Sequence, residues 1–380
     1  MSFDTRAFAD KLKRCQEHVG IDTRELARRS GFAAARIDEL TRGDVEPSGD
    51  EILILADIFK IDFKFFISND AKTPFEQMEV LYRKYGSKVG AADRRAIAEL
   101  LYLCDTEQFL QEDMGRRPTS TFSFTKSGTY FKGHGERCAA ALRDFLGLDT
   151  AVRFGDAFAV ARRLGVHVFR RPLDNSAISG LTVRHPAAGP CILVNRDEDP
   201  YRQRFTLAHE LGHVFLDEDE AVVVSFGAWR TEDLREVRAD TFAANLLVPR
   251  DALTPLRGRD VSEQMFVELA HRLEVNAPTL ARAMTEANVI TRDVSERFRA
   301  LRLPRASKED PELGGGLTER QRERKARMLD RGLSQSYVEL CFDAYSAEKV
   351  SRGRVAEALL IGEDELDEVA RLYGRVFAHA

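Results

Sequence analysis

Residues 205–216 read Phe-Thr-Leu-Ala-His-Glu-Leu-Gly-His-Val-Phe-Leu, and this stretch constrains the fold most tightly. Leu207, Ala208, Leu211, Val214 and Phe215 make a helix that is apolar over most of its circumference, so it belongs inside the molecule. Polar groups buried there need partners. Positions i and i+4 share one helix face about a turn apart, so His209 and His213 can present both imidazoles to one tetrahedral zinc ion. Glu210 is not a ligand at that spacing. It projects beside the metal, where a carboxylate can take a proton from water and pass it to a leaving amine. The plainer reading, a core helix that happens to hold two histidines, leaves His-Glu in so much apolar surface unaccounted for.

A catalytic zinc site wants a third protein ligand. Metzincins place a third histidine six residues beyond the second, and here that position is Asp219. Downstream, Glu236-Val-Arg-Ala-Asp240-Thr-Phe-Ala-Ala-Asn-Leu-Leu-Val-Pro249 reads as a long amphipathic helix. Its apolar face, Phe242, Ala243, Leu246 and Leu247, can pack against the first helix. Glu236 would then face the zinc, and Asp240, one turn later, could hydrogen-bond a ligand imidazole from behind. Acids are also favoured at any solvated helix start. Spacing alone leaves Asp217, Glu218 and Glu220 open beside Glu236.

The 380 residues exceed one compact core. The reading is mainly α with a small β-sheet (α+β), in the following segments. Residues 1–68 form a bundle of short helices and 69–115 a helical extension carrying Met78, Leu81 and Tyr82, then Ile97, Leu100 and Leu101 at helical spacing. A Ser/Thr/Gly-rich connector spans 116–134, and a second domain spans 135–303. Residues 304–316 are a linker by composition, and 317–380 a charged helical tail domain. Within the second domain, strands are expected over 166–170, 178–183 and 191–195, with helices from there to about 300. Five scattered cysteines argue against a disulfide framework and for a reducing, cytoplasmic setting. No stretch approaches the about 20 uncharged apolar residues that span a bilayer, and the charged N-terminus does not read as a secretion signal.

In residues 1–68, Gly20 stops a first helix and Thr23 caps a second. A third runs from Ala33 to Thr41, and Pro47-Ser48 opens a fourth. The pattern Leu26-Ala27, Gly31, Ile37, Leu40-x-x-Gly43, Pro47 and Leu55-Ala56 resembles an Xre/Cro-type helix-turn-helix. That resemblance implies a third helix in the major groove with Arg36 and Arg42 as contacts, and Thr23, Arg24 and Arg28 available to the backbone. The segment holds 11 Lys/Arg against 13 Asp/Glu, a net of −2, whereas DNA readers usually carry a basic face. A protein-binding role for the bundle therefore stays open.

Asn195-Arg196…Arg204-Phe-Thr-Leu-Ala-His-Glu-Leu-Gly-His and Glu236-x-x-Ala239-Asp240-x-Phe242-Ala243-Ala244-x-Leu246-Leu247-x-Pro249 resemble the core signatures of the ImmA/IrrE metallopeptidases. The resemblance extends over roughly 135–300. It implies a zincin-like domain in which His209, His213 and Glu236 bind one zinc ion, with Glu210 catalytic; Asp240 stays the acid read above as backing a ligand, and another divalent metal such as manganese stays open. It also implies cleavage of a repressor-like protein, within a stress, mobile-element or phage-response circuit. The tail, with Gly353-Arg354-x-Ala356-Glu357-x-Leu359, resembles a helical addition at the ends of such proteins. The combined reading is a DNA-binding regulator with its own endopeptidase, operator DNA as partner through 1–68, no membrane, and a homodimer as one assembly. The rival is a regulator, antitoxin or defence component whose peptidase fold senses with little or no proteolysis. The run Phe122, Phe124, Tyr130, Phe131 with Lys126 and Lys132 either stacks single-stranded nucleic acid as a trigger or packs the connector onto a domain.

Overall fold

A computed structural model describes residues 3–59, 61, 63–67, 89–118, 122–149, 153–226, 233–304, 308 and 310–377. The chain is mostly helical with one small sheet, the α+β class expected. It groups into two compact units, Met1–Thr106 with Leu173–Ser176, and Glu107–Pro172 with Ala177–Ala380. Met78, Leu81 and Tyr82 lie outside the described residues.

In the first unit, α1 (Thr5–Val19), α2 (Thr23–Ser30), α3 (Ala34–Arg42), α4 (Gly49–Phe59) and α5 (Lys64–Ile67) bury Phe8, Leu12, Leu26, Ile37, Leu40, Leu55 and Phe59. Three of these helices end on glycines in the left-handed region, Gly20, Gly31 and Gly43, where other residues are strained. The cap of α2 is Asp22, whose carboxylate accepts from Glu25 N–H, and not Thr23, which is the first residue inside the helix. An Asp one position earlier meets the same orphan donors. Then α6 (Ala91–Asp113) follows, with Ile97 and Leu100 buried.

In the second unit, α7 (Phe131–Phe145) begins inside the compositional connector. Gly133 reads as a connector residue but sits within this helix, and at Gly135, the expected start of the second domain, another backbone occupies the place of a side chain. A Cβ there would come within 2.5 Å of the Arg238 carbonyl oxygen. After α8 (Ala157–Arg163) come β1 (His167–Arg171), β2 (Ile178–His185) and β3 (Gly189–Asn195). The helix α9 (Pro200–Leu216) carries His209 and His213. A strand absent from the sequence reading, β4 (Val222–Phe226), comes next; its Val-Val-Val-Ser run was the available signal. The sheet order is β1-β3-β2-β4, with β1 parallel to β3 and the other pairings antiparallel. Then α10 (Leu234–Leu247) carries Glu236 and Asp240.

The core of this unit joins α7, α9, α10 and the sheet through Leu142, Leu207, Leu211, Phe242 and Leu246, all essentially inaccessible. Each such side chain contributes about 1.5–3 kcal/mol by leaving water. Phe122 and Phe124 pack against the same core, Phe122 edge-on to Phe215 at 5.0 Å between ring centroids, and Lys126 donates to Leu216 O. These aromatics therefore pack the connector, while Tyr130 stays exposed.

The segment 304–316 is not a free tether. Asp310 is buried between Arg170 and Arg196, at 2.9 Å from each, and Lys308 pairs with Asp199. Its Pro/Gly/charge composition hid these anchors, which only tertiary structure supplies. The tail helices, Glu319–Asp330, Gln335–Ser346, Arg352–Ala358 and Leu366–Leu372, have their own core around Tyr337 and Leu359. Tyr337 also meets Phe169 of β1 edge-on.

Candidate metal centre

Asp199 caps α9 by accepting from Tyr201 and Arg202 N–H, and Pro200 occupies its first turn, where a missing N–H costs nothing. Every residue from Gln203 to Leu216 is buried. Against it lies α10, admitted at close range because Gly212 has no side chain: a Cβ would meet Ala239 Cα at 3.0 Å. Gly135 gives α7 the same access to the other side of α10. Two glycines thus fix where α10 runs, and with it Glu236 and Asp240.

This packing brings His209, His213 and Glu236 together. The His209 and His213 Nε2 atoms are 3.0 Å apart; Glu236 Oε2 is 3.3 Å from the first and Oε1 is 3.4 Å from the second. Ligands about 2.0–2.1 Å from a tetrahedral zinc stand about 3.3 Å from one another. On the far side of each ring, His209 Nδ1 lies 2.9 Å from Asp240 Oδ1, and His213 Nδ1 lies 2.8 Å from Asp217 Oδ2.

The donor chemistry tests whether a cation fits. An ionised carboxylate only accepts, so each Nδ1 carries a hydrogen, and each Nε2 is the atom that can present a lone pair to a cation. Two lone pairs and a carboxylate then converge within hydrogen-bonding distance, an arrangement that calls for positive charge. Without an ion a proton meets the same demand: burial disfavours the charged form of His209, yet its hydrogen bonds to Asp240 and Glu236 prevail and hold its pKa well above the ordinary value, and a bound cation would take that proton's place at Nε2. Burial likewise opposes ionising Glu236, but the bonds from His209 and His213 pull it far below the usual carboxylate range. The set fits a divalent cation.

Glu210 is fully buried beside this cluster. Thr182 Oγ1 on β2 donates to its Oε2 at 2.7 Å, whereas Oε1 has no hydrogen-bond partner. Space for Oε1 comes from Gly180, where a Cβ would stand 3.1 Å from it. Burial raises the Glu210 pKa, against the opposing pull of His213 and His209. A buried carboxylate with one fixed and one unpaired oxygen is suited to accepting a proton.

Of the acids left open by spacing, the structure puts Glu236 at the imidazole Nε2 atoms and Asp217 behind His213. Glu218 and Asp219 are exposed, and Glu220 pairs with Arg235. Thr182 and the place of Asp217 behind His213 escaped the sequence reading. Asp217 stands four residues after His213, the same-face spacing that could have revealed it. Thr182 had no local signal, because strand pairing alone delivers it.

The DNA-contact candidates are spread over α2 and α3. Thr23 is half-buried and Arg24 exposed. Arg28 pairs with Glu25 at 2.6 Å, and Arg42 with Asp44 at 2.6 Å. Arg36 makes a two-pronged bond to Glu51, at 2.8 and 2.9 Å, and another to Glu46 O.

The family model described as the IrrE N-terminal-like domain, a peptidase family, matches residues 161–285, about a third of the chain. That segment is similar to a metallopeptidase domain, a family that implies a divalent metal. Among its relatives, the radiation response metalloprotease IrrE of Deinococcus radiodurans is 35% identical over 100 residues, covering 25% of this chain and 30% of the relative. The protein of the same name from Deinococcus deserti is 34% identical over 100 residues, covering 25% and 36%. The matched stretch therefore spans about a third of each relative's length. Among the described residues no helix is long and apolar enough to cross a membrane.

Proposed function

We propose that this chain is a zinc-dependent endopeptidase that cuts a specific regulatory protein of the repressor type, guided by a DNA-binding helix-turn-helix in residues 1–68. The carrying observation is the convergence of His209, His213 and Glu236 beside a buried Glu210 whose Oε1 is unpaired. His209, His213 and Glu236 would hold the ion. When bound, zinc would supply a Lewis acid that polarises the scissile carbonyl and makes water a better nucleophile. Thr182 holds Oε2 of Glu210, leaving Oε1 to accept the proton of the attacking water and return it to the leaving amine. The similarity to proteins named radiation response metalloproteases supports a regulatory protease over a digestive one.

The test is Glu210→Gln in the full chain. It should leave metal binding intact and lower cleavage by about 10²–10⁴-fold, the usual contribution of a general base. Captured on this variant, the substrate should be identifiable. Cleavage of that captured protein at the wild-type rate would end the mechanism.

One observation favours the rival reading. Arg28, Arg36 and Arg42 already pair with acids of their own unit, as in a bundle that binds protein and not an operator. A gel shift of the native promoter with wild type and Glu210→Gln separates them. Equal regulation in cells by both would make the peptidase fold a sensor.

A further inference from the structure

The two imidazoles at the metal centre are backed by carboxylates of different kinds. Asp240, behind His209, lies half-buried on α10, and among the described residues its ion pair is with His209 alone. Asp217, behind His213, is 2% exposed and closes α9, its N–H bonded to His213 O at 3.0 Å. Its Oδ2 accepts from His213 Nδ1 and its Oδ1 from Arg238 Nη2. Arg238 is itself buried. Its guanidinium carbon lies 5.3 Å from the centre of the Phe131 ring, and its backbone carbonyl is pressed by α7 at Gly135. One continuous chain of contacts therefore runs from Phe131 through Arg238 and Asp217 to His213.

We propose that Arg238 is a positioning residue for the metal centre: by neutralising one oxygen of Asp217, it keeps the other on His213 Nδ1 and so holds that imidazole as a ligand. The inference rests on the reading that His209, His213 and Glu236 bind a divalent ion. A buried carboxylate with only a neutral imidazole as donor is poorly compensated. Without the guanidinium, Asp217 Oδ1 would lose its partner and the carboxylate would be free to rotate away from His213. His213 Nδ1 would then lose its acceptor, and the ring hydrogen could move to Nε2, the atom that must be bare to ligate. His209 does not need such support, because its Asp240 reaches solvent. The centre thus has one arm locked by a salt bridge and one arm left adjustable.

Zinc affinity of the full chain, measured by competition with a chromophoric chelator, tests this, with the visible spectrum of the cobalt-loaded protein as a second readout. Arg238→Met should bind zinc about 10–100-fold more weakly, the usual consequence of losing a group behind a ligand, and its cobalt bands should shift. Asp217→Asn should do the same, and the double variant should be no weaker than the worse single one. Arg238→Lys, which restores the charge, should regain most of the affinity. Zinc affinity within twofold of wild type for Arg238→Met, full additivity in the double variant, or no recovery with Lys would each overturn the proposal. Where Arg238→Met does not fold, Arg238→Gln takes its place with the same outcomes. If wild type itself takes up neither zinc nor cobalt, the metal reading falls, and that failure is distinguishable from the failure of the Arg238 proposal.

Discussion

His213 and Arg36 both reach carboxylates, and the two arrangements have opposite meanings. Arg36 is a satisfied cation: its guanidinium meets both oxygens of Glu51 and lies 3.6 Å from Glu39 as well. His213 is one corner of an incomplete set. Its Nδ1 is satisfied by Asp217, but its Nε2 faces the Nε2 of His209 and the carboxylate of Glu236. Around Arg36 the positive charge is met by neighbouring acids, whereas around His213 acceptors are concentrated at a point where positive charge is wanted. The contrast teaches that a cluster of charged residues is evidence for a ligand only when its own members cannot satisfy one another.

The largest test of this contrast is removal of a corner. Glu236→Ala should weaken zinc binding by more than about 100-fold, beyond the effect typical of groups behind a ligand, as read by the chelator competition. It should also abolish the zinc-dependent rise in Tm, which for the wild type at 100 times its Kd corresponds to about 2.7 kcal/mol. Undiminished binding would mean that the acceptors at this point do not form the site. The next largest effect falls on the scaffold. Gly135→Ala would drive a Cβ into the backbone of α10 at Arg238, so it should cost about 1–3 kcal/mol as overpacking does, visible as a lowered Tm even without metal. An unchanged Tm would mean that α7 does not set the position of α10.

That scaffold also marks how far the sequence was legible. The HExxH spacing on an apolar helix named His209, Glu210 and His213 because helical periodicity is local. Glu236 and Asp240 became legible through a second helix with a clear apolar face, but choosing Glu236 over Asp217 needed the packing of α10 on α9, which Gly212 permits. Thr182 and Arg238 were illegible, since their partners are 28 and 21 residues away across strand and helix contacts. In the fold, three strands were readable from alternation and bounding turns. Val222–Phe226 was missed because it follows the acidic turn after α9, and Asp310 because its buried partners lie on β1 and just after β3. The arginines of α2 and α3 were visible as residues, but their partners Glu51 and Asp44 show only in three dimensions.

Opening one of those closed pairs probes the other side of the contrast. Glu51→Gln leaves the cap of α4 intact, because Gln can replace Glu in its exchange with Ser48, but removes the nearer of the two charges on Arg36, leaving Glu39 at 3.6 Å. If residues 1–68 read DNA, the freed guanidinium should gain about one phosphate contact. Duplex affinity should then rise, with a steeper salt dependence by ~0.9 in the log–log slope, measured by fluorescence anisotropy at several salt concentrations. No duplex binding by either form would leave the bundle as a protein-contact module.

The same pair gives the smallest effect, and its sign is fixed. The bond from Arg36 outweighs partial burial and lowers the Glu51 pKa. A depressed carboxylate contributes stability that is fully present above its ordinary unfolded value near 4.5 and disappears as pH falls through the lower folded value. Arg36 is about one-third exposed, so solvent screening keeps the contribution below about 1 kcal/mol. Wild type should therefore be slightly more stable than Glu51→Gln at neutral pH, and the gap should narrow as the solution is acidified below the ordinary value. Denaturant midpoints of the two proteins, compared from pH 7 downward, provide the measurement. A gap that is constant across this range would show that the pair holds α3 and α4 by shape and not by charge, and Arg36 would then be no better neutralised than an exposed arginine free to meet a phosphate.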